Sequence, residues 1–177
     1  MKEQLDNHQG RLQGGEALKL DAQTLNNASG TIDGQQRLAL RIIGGLDNAG
    51  GAVRSNGDQQ ITAASIDKRQ GVFSSRGGLA LTAAQLDNSN GTLISEGSGI
   101  YRIEMLDNRQ GKVHRGEALT LNGRQVNNQR GQPVSSQALT LKANQLDYSS
   151  QSALEVQTDH LDNRYGGRVL WVRHTPA

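Results

Sequence analysis

The chain has 177 residues, enough for one ordinary domain, and its hydrophobic content of 34% includes only 3% aromatic residues. So few aromatic residues exclude a large aromatic core, and the absence of cysteine excludes disulfide bonds and thiolate metal sites. The net charge is only +2 and basic residues are interspersed with acidic ones, so the sequence predicts no basic stripe and no nucleic-acid partner.

The first predicted element is a turn, LDNHQG at Leu5, and versions of this turn recur along the chain, such as LNNASG at Leu25 and LDNRQG at Leu106. The spacing between successive turns is 20 residues, except for one interval of 21, where the extra residue is Gly44 or Gly45, and a last interval of 15. A period this regular predicts a solenoid or array. The turns start at Leu5, Leu25, Leu46, Ile66, Leu86, Leu106, Val126, Leu146 and Leu161.

Each position of the turn has its own chemistry. The first residue is Leu, Ile or Val and is expected to point inward, and the second is Asp or Asn, which turns the chain by side-chain to backbone hydrogen bonds. A glycine five residues after the start is expected to supply a φ that other residues adopt only at a cost. The third position is interrupted by Lys68 and Tyr148 and otherwise predicts a stacked amide ladder. Its members are Asn7, Asn27, Asn48, Asn88, Asn108, Asn128 and Asn163.

Between the turns, apolar residues alternate with polar ones, as in Leu79, Leu81 and Ala83. A spacing of two is that of a β-strand, and no stretch has the period of a helix. The sequence therefore predicts an all-β fold, a right-handed parallel β-helix of about eight coils of 20 residues. One inward column is expected to stack as a continuous file. It consists of Leu20, Leu40, Ile61, Leu81, Tyr101, Leu121 and Leu141.

The end of the chain departs from the repeat. Residues 1–145 carry the regular turns, and residues 146–177 are expected to form shortened, irregular coils of the same domain. Leu154 and Val156 take the places of the Leu-x-Leu pair, so the missing residues fall before them. Trp171 is expected to fold over the open end of the core as a partial cap.

Residues suited to catalysis or metal binding do not cluster. The Asp column would place carboxylates one strand spacing apart, but Asn26 and Asn127 replace two of them, which favours a turn role over a charge role. No histidine pair has the spacing of metal ligands, and the serines after the apolar column have no histidine or acid in register. No catalytic residue, metal site or cofactor is predicted. The histidines are His8, His114, His160 and His174, and the serines after the apolar column are Ser74, Ser95 and Ser135.

The pattern LDN-x-x-G-x-[LIV]-x-S…L-x-L-x-A over residues 5–145 resembles the 20-residue repeats of filamentous haemagglutinin-type exoproteins. These belong to two-partner secretion systems and include the contact-dependent growth inhibition proteins. These residues contain neither the N-terminal secretion domain of that family nor the VENN motif that precedes the toxin in the inhibition proteins. The resemblance implies a rod-like bacterial protein, secreted or on the cell surface, that serves adhesion or the display and delivery of a distal effector domain. The partners it implies are an outer-membrane transporter during export and a host-cell or bacterial surface receptor.

Two other functions use the same architecture. A β-helix polysaccharide lyase or hydrolase concentrates acids, bases and aromatics on inserted loops, whereas this chain has a nearly constant coil length and so little room for a cleft. An ice-binding β-helix needs a regular Thr-x-Thr face, whereas the outward pairs here are mixed and charged, as in Lys19/Asp21 and Ile100/Arg102. The sequence therefore favours a non-catalytic shaft without a transmembrane segment.

Overall fold

The structure is a computed structural model that describes residues 3–135, 139–142, 145–147, 154–157 and 160–162. All elements in these ranges are β-strands, and every strand pair is parallel and joins equivalent residues of neighbouring repeats. None of the described segments is a helix that could span a membrane. The described strands form a parallel β-solenoid of about six turns, which confirms the fold class. The count is below the eight coils expected, because the last repeats fall largely outside the described ranges.

The alternation of inward apolar and outward polar residues divides each coil into short strands separated by turns. In chain order the strands are β1 (Gln4–Asp6), β2 (Arg11–Gly14), β3 (Ala17–Ala22), β4 (Thr24–Asn26), β5 (Thr31–Gly34), β6 (Arg37–Ile42), β7 (Gly45–Asp47), β8 (Ala52–Ser55), β9 (Gln59–Asp67), β10 (Val72–Ser75), β11 (Leu79–Asp87), β12 (Thr92–Ser95), β13 (Gly99–Asp107), β14 (Lys112–Arg115), β15 (Leu119–Asn122), β16 (Gln125–Asn127), β17 (Gln132–Ser135), β18 (Leu139–Lys142), β19 (Gln145–Asp147), β20 (Leu154–Gln157) and β21 (His160–Asp162).

The strands form two sheets that face each other across the core. The smaller sheet has seven strands in the order β17-β14-β12-β10-β8-β5-β2, and the larger has 14. In the larger sheet β9, β11 and β13 are single strands of nine residues. The same stretch is divided into two strands elsewhere, for example β3 and β4. Each coil therefore consists of a short wall, a long wall and two turns, here called the first turn (residues 47–51 and their equivalents) and the second turn (residues 55–58 and their equivalents).

The core is a set of stacked columns. On the long wall, the strand register pairs each residue of the file expected from the sequence with the next, from Leu20 to Leu141. The side chains of Leu40, Ile61 and Leu81 are buried, and that of Leu20 is half-buried. On the short wall the facing column is also buried. It contains Ile32, Val53, Phe73, Leu93 and Val113.

The one repeat of 21 residues is accommodated on the outer surface. Ala22 pairs with Ile42 and Leu25 pairs with Leu46, so two residues of one coil lie opposite three of the next. The extra residue therefore falls where the sequence places it, in the segment that contains the two glycines. Ile43 begins this segment and its side chain is 55% exposed, so the insertion bulges outward and the core columns stay in register.

The shortened last repeat keeps the strand register. Leu154 pairs with Leu139 and Val156 pairs with Leu141, although the distance in sequence is 15 residues instead of 20. This is the alignment that the sequence predicts for the two residues. The expected cap, Trp171, and the last ladder member, Asn163, lie outside the described residues.

Candidate functional site

The first turn is held by its Asp or Asn residue. The Oδ1 atom of Asp47 accepts a hydrogen bond of 2.9 Å from the backbone N–H of Ala49, two residues later. Asn127 makes the same contact with the N–H of Gln129 at 3.2 Å, which explains why Asp and Asn alternate freely in this column. The carboxylates are therefore turn-forming groups. The same bond is made by Asp6, Asn26, Asp67, Asp87 and Asp107.

The glycine of the first turn has a different role from the one expected. In Gly30, Gly51 and Gly71 the backbone φ is not in the left-handed region. The positive φ, between 53° and 61°, belongs to the residue just before each glycine. The expectation of a special φ was wrong, and the reason for glycine is space: a Cβ atom on Gly51 would lie 2.2 Å from the backbone oxygen of Asn27 in the coil below. The residues with positive φ are Gln9, Ser29, Gly50, Gln70, Asn90, Gln110 and Arg130.

The asparagines of the first turn point into the rod and bond to each other. The Nδ2 of Asn7 donates to the Oδ1 of Asn27 at 2.6 Å, and Asn27 donates to Asn48 at 2.6 Å. The same chain of bonds resumes from Asn88 to Asn108 and on to the next coil. These amides are almost completely buried. The asparagine ladder, defined as Asn7, Asn27, Asn48, Asn88, Asn108 and Asn128, therefore acts as a polar spine inside the rod.

An Asn108→Ala variant should lose stability by about 2–3 kcal/mol, because it leaves the buried Nδ2 of Asn88 without its acceptor and opens a small void. Urea denaturation followed by circular dichroism would measure the loss. The matched control is Asn56→Ala, at an exposed asparagine of the second turn, which should change stability by less than about 0.5 kcal/mol. Equal effects in the two variants would contradict a structural role for the ladder.

Lys68 occupies a ladder position with a fully buried side chain. Its Nζ donates to the Oδ1 of Asn88 at 2.6 Å and to the backbone oxygen of Gly71 at 2.9 Å. The amine also lies 5.2 Å from the centroid of the Phe73 ring. Burial lowers the pKa of Lys68 well below its ordinary value of 10.5. The sequence marks Lys68 as a break in the column, but nothing in the sequence indicates that its amine takes the place of an amide.

The second turn is held by a column of buried serines. Ser75 donates from Oγ to the backbone oxygen of Gly57 at 2.7 Å, and Ser95 donates to that of Gly77 at 2.7 Å. Ser55 occupies the same column. Ser95, which follows the apolar column in the sequence, belongs to this column of buried serines, whereas Ser74 lies on the outer face. A column alignment over all repeats would have found Ser55 and Ser75, because they share one position in the period.

Two arginines on the outer face of the first turn pair with acids of the Asp column. Arg69 lies 2.6 Å from the carboxylate of Asp67 and 4.0 Å from that of Asp87. Arg109 lies 2.7 Å from Asp107. The hydrogen bond from Arg69 holds the pKa of Asp67 below its ordinary value. Asp67 is therefore an ionised partner of Arg69, a state unsuited to proton transfer.

The repeats also match a known family. The family model described as the haemagglutinin repeat matches residues 3–43, 42–98 and 104–169. The chain belongs to the haemagglutinin repeat family. Repeats of this family occur in adhesins that are secreted or lie on the cell surface, and these adhesins are non-enzymatic proteins. Searches of the curated proteins and of the solved structures gave no match.

The haemagglutinin repeat surface contains an open groove on the outside of the long wall. The groove carries a single carboxylate, Glu104, between the two arginines Arg102 and Arg124, and no aromatic side chain lines it. Within the described residues no group of three His, Asp or Glu side chains could hold a metal ion. The groove therefore lacks the paired carboxylates of a glycosidase. Its other lining residues include Thr82, Ala84 and Asn122.

Proposed function

We propose that the chain is a non-catalytic, rod-like shaft segment of a secreted bacterial surface exoprotein that serves adhesion or the display and delivery of a distal effector domain. The observation that carries this proposal is that the recurring polar residues are engaged in building the coils. The Asp column forms turns, the asparagine ladder forms an internal spine, and the serines bond to backbone carbonyls of the second turn. A rod with such uniform coils is suited to holding other domains at a distance.

The haemagglutinin repeat family supports an extracellular location and an adhesin-type role. The partners that follow from this role are an outer-membrane two-partner transporter during export and a receptor on a host or bacterial surface. A β-helix polysaccharide lyase or hydrolase is the alternative, and it would have to use the groove around Glu104, Arg102 and Arg124.

The shaft role can be tested by removing one coil. Deletion of residues 86–105 takes out one 20-residue repeat, so Gln85 is joined to Leu106 and every column remains in register. The shortened chain should fold and be about 4.8 Å shorter, the spacing of one strand pair. Deletion of residues 86–95 is the control. It removes half a repeat and places the two turns of neighbouring coils out of register, so this chain should not fold.

Catalysis is tested with the purified chain on pectin and other uronans, with release of unsaturated or reducing ends as the measurement. No product is expected from the wild type. If product forms and is lost in both Glu104→Gln and Arg102→Ala, the chain is an enzyme and the shaft proposal is overturned. Failure of the coil-deleted chain to fold, with no product in the assay, would instead contradict the modular rod.

A further inference from the structure

Two side-chain departures from the regular repeat lie in the coils that form one junction of the rod. The junction is defined by the parallel pairing of coil 46–65 with coil 66–85. Lys68, in coil 66–85, replaces the asparagine of the ladder, and Gln59, in coil 46–65, replaces the apolar residue of an inward column. Both departures put polar groups into the interior at this junction, so its stability is expected to differ from that of the next junction.

The asparagine ladder is interrupted at this junction. In the parts of the ladder before and after it, the Nδ2 of each asparagine donates to the Oδ1 of the asparagine in the following coil. Each asparagine therefore needs an acceptor at the equivalent position of that coil. Lys68 already donates from its amine to Asn88 and Gly71. The Nδ2 of Asn48 bonds to the backbone oxygen of Gly51 at 3.0 Å, whereas the corresponding bond of Asn27 is 3.3 Å. Asn48 therefore leans toward its own turn and makes no side-chain bond across the junction within the described residues.

Gln59 adds a second polar defect at the same junction. It lies in an inward column between Leu38 of the preceding coil and Leu79 of the following coil, and its side chain is only 1% exposed. Neither the nitrogen nor the oxygen of its amide has a hydrogen-bond partner among the described residues. A buried amide without partners weakens the packing of the two coils that enclose it.

The backbone bonds do not distinguish this junction from the next one. Across it, the N–H of Val72 donates to Gly51 at 2.8 Å. Across the following junction, the N–H of Thr92 donates to Gly71 at 2.9 Å. Any difference in stability between the two junctions must therefore come from the side chains.

No opposite charge faces the buried amine of Lys68. On the strands beside it, the charged groups Asp47, Asp67, Asp87 and Arg69 lie on the outer face of the turn, partly or fully exposed. On the short wall, the inward column around Phe73 is apolar, and Arg54 points outward. A protonated amine in this position has the Phe73 ring and two oxygens as its surroundings, and no carboxylate within the described residues.

We propose that the junction between coil 46–65 and coil 66–85 is a built-in opening point of the rod, where neighbouring coils separate while the coils on either side stay folded. Stability in a solenoid is a sum of the stabilities of coils and of the interfaces between them, so opening begins at the weakest interface. The interrupted ladder together with the unpartnered Gln59 makes this interface weaker than the next one, between coil 66–85 and coil 86–105. In the shaft role proposed above, on which this consequence rests, the rod would have a defined site at which it yields under load.

Native-state hydrogen exchange of the full chain, read residue by residue by NMR, tests this proposal. After correction for intrinsic rates, the amides of Gly50 and Val72, which bond across the junction, should exchange at least about tenfold faster than those of Gln70 and Thr92, which bond across the next one. Lys68→Asn, which restores the ladder, should slow the exchange of Gly50 and Val72 by a similar factor.

Gln59→Leu supplies a second variant that acts from the other side of the core and should slow the same amides. Lys112→Asn, at an exposed lysine of the short wall, is the matched control and should leave the exchange unchanged. Faster exchange at the junction that is slowed by either variant supports the proposal. Equal protection at the two junctions, or faster exchange that neither variant slows, overturns it.

Discussion

A Lys68→Asn variant is expected to be more stable than the wild type at neutral pH. The wild type must bury an amine that has no carboxylate partner within the described residues, and burial favours its neutral form. Asparagine is the usual residue of this column, and its amide can both accept from Asn48 and donate to Asn88, as the other rungs do. The variant should therefore unfold at a higher urea concentration than the wild type.

The stability difference should depend on pH in a defined direction. The pKa of Lys68 is lowered on folding, so between this lowered value and 10.5 the unfolded chain binds the proton and the folded chain does not. The stability of the wild type should then rise with pH across this window, by up to about 1.4 kcal/mol per pH unit. Below the folded pKa both states carry the proton and the slope ends. The advantage of Lys68→Asn should therefore shrink as the pH approaches 10.5.

Urea denaturation of the two chains between pH 6 and pH 10.5 measures this effect, because the contributions of the groups they share cancel in the difference. Lys112→Asn removes an exposed lysine, and a plot of its free energy of unfolding against pH should run parallel to that of the wild type. Parallel curves for the wild type and Lys68→Asn would mean that Lys68 ionises in the fold as it does in the unfolded chain.

Gly51→Ala is expected to be strongly destabilising. The new Cβ atom would lie 2.2 Å from the backbone oxygen of Asn27 and 2.7 Å from the Oδ1 of Asn48. A backbone atom in a stacked coil cannot move without separating the two coils, so the loss should be about 3 kcal/mol or more. Thermal and urea unfolding would both measure it.

Gly15→Ala is the matched control for this variant. A Cβ atom at Gly15 would meet nothing within 4 Å, and its φ is outside the left-handed region. The control should be neutral or slightly stabilising, because alanine reduces the entropy of the unfolded chain. If Gly51→Ala were as mild as Gly15→Ala, the coils would not approach as closely at the first turn as the structure indicates.

Gly51 and Gly15 differ in the space around them, a property that the sequence does not reveal. The sequence shows that glycine recurs in the turn, but a single repeat carries information on local conformation alone and so points to φ as the cause. Gly51 and Asn27 are 24 residues apart in sequence and belong to two neighbouring coils, so they approach each other only after the coils have stacked. The same holds for Gln59, whose unpartnered amide follows from its position between Leu38 and Leu79.

The all-β solenoid, the length of one coil, the inward columns and the location of the extra residue before Leu46 can be predicted from the sequence alone. These features follow from periodicity, because a solenoid pairs each residue with the one a single repeat away. The role of Lys68 becomes clear only from the way the coils stack. Its burial, its bonds to Asn88 and Gly71 and its place over Phe73 depend on how three neighbouring coils enclose one side chain. The period of the sequence states which residues are neighbours, whereas hydrogen-bond direction and the space available to a side chain are properties of the stacked coils.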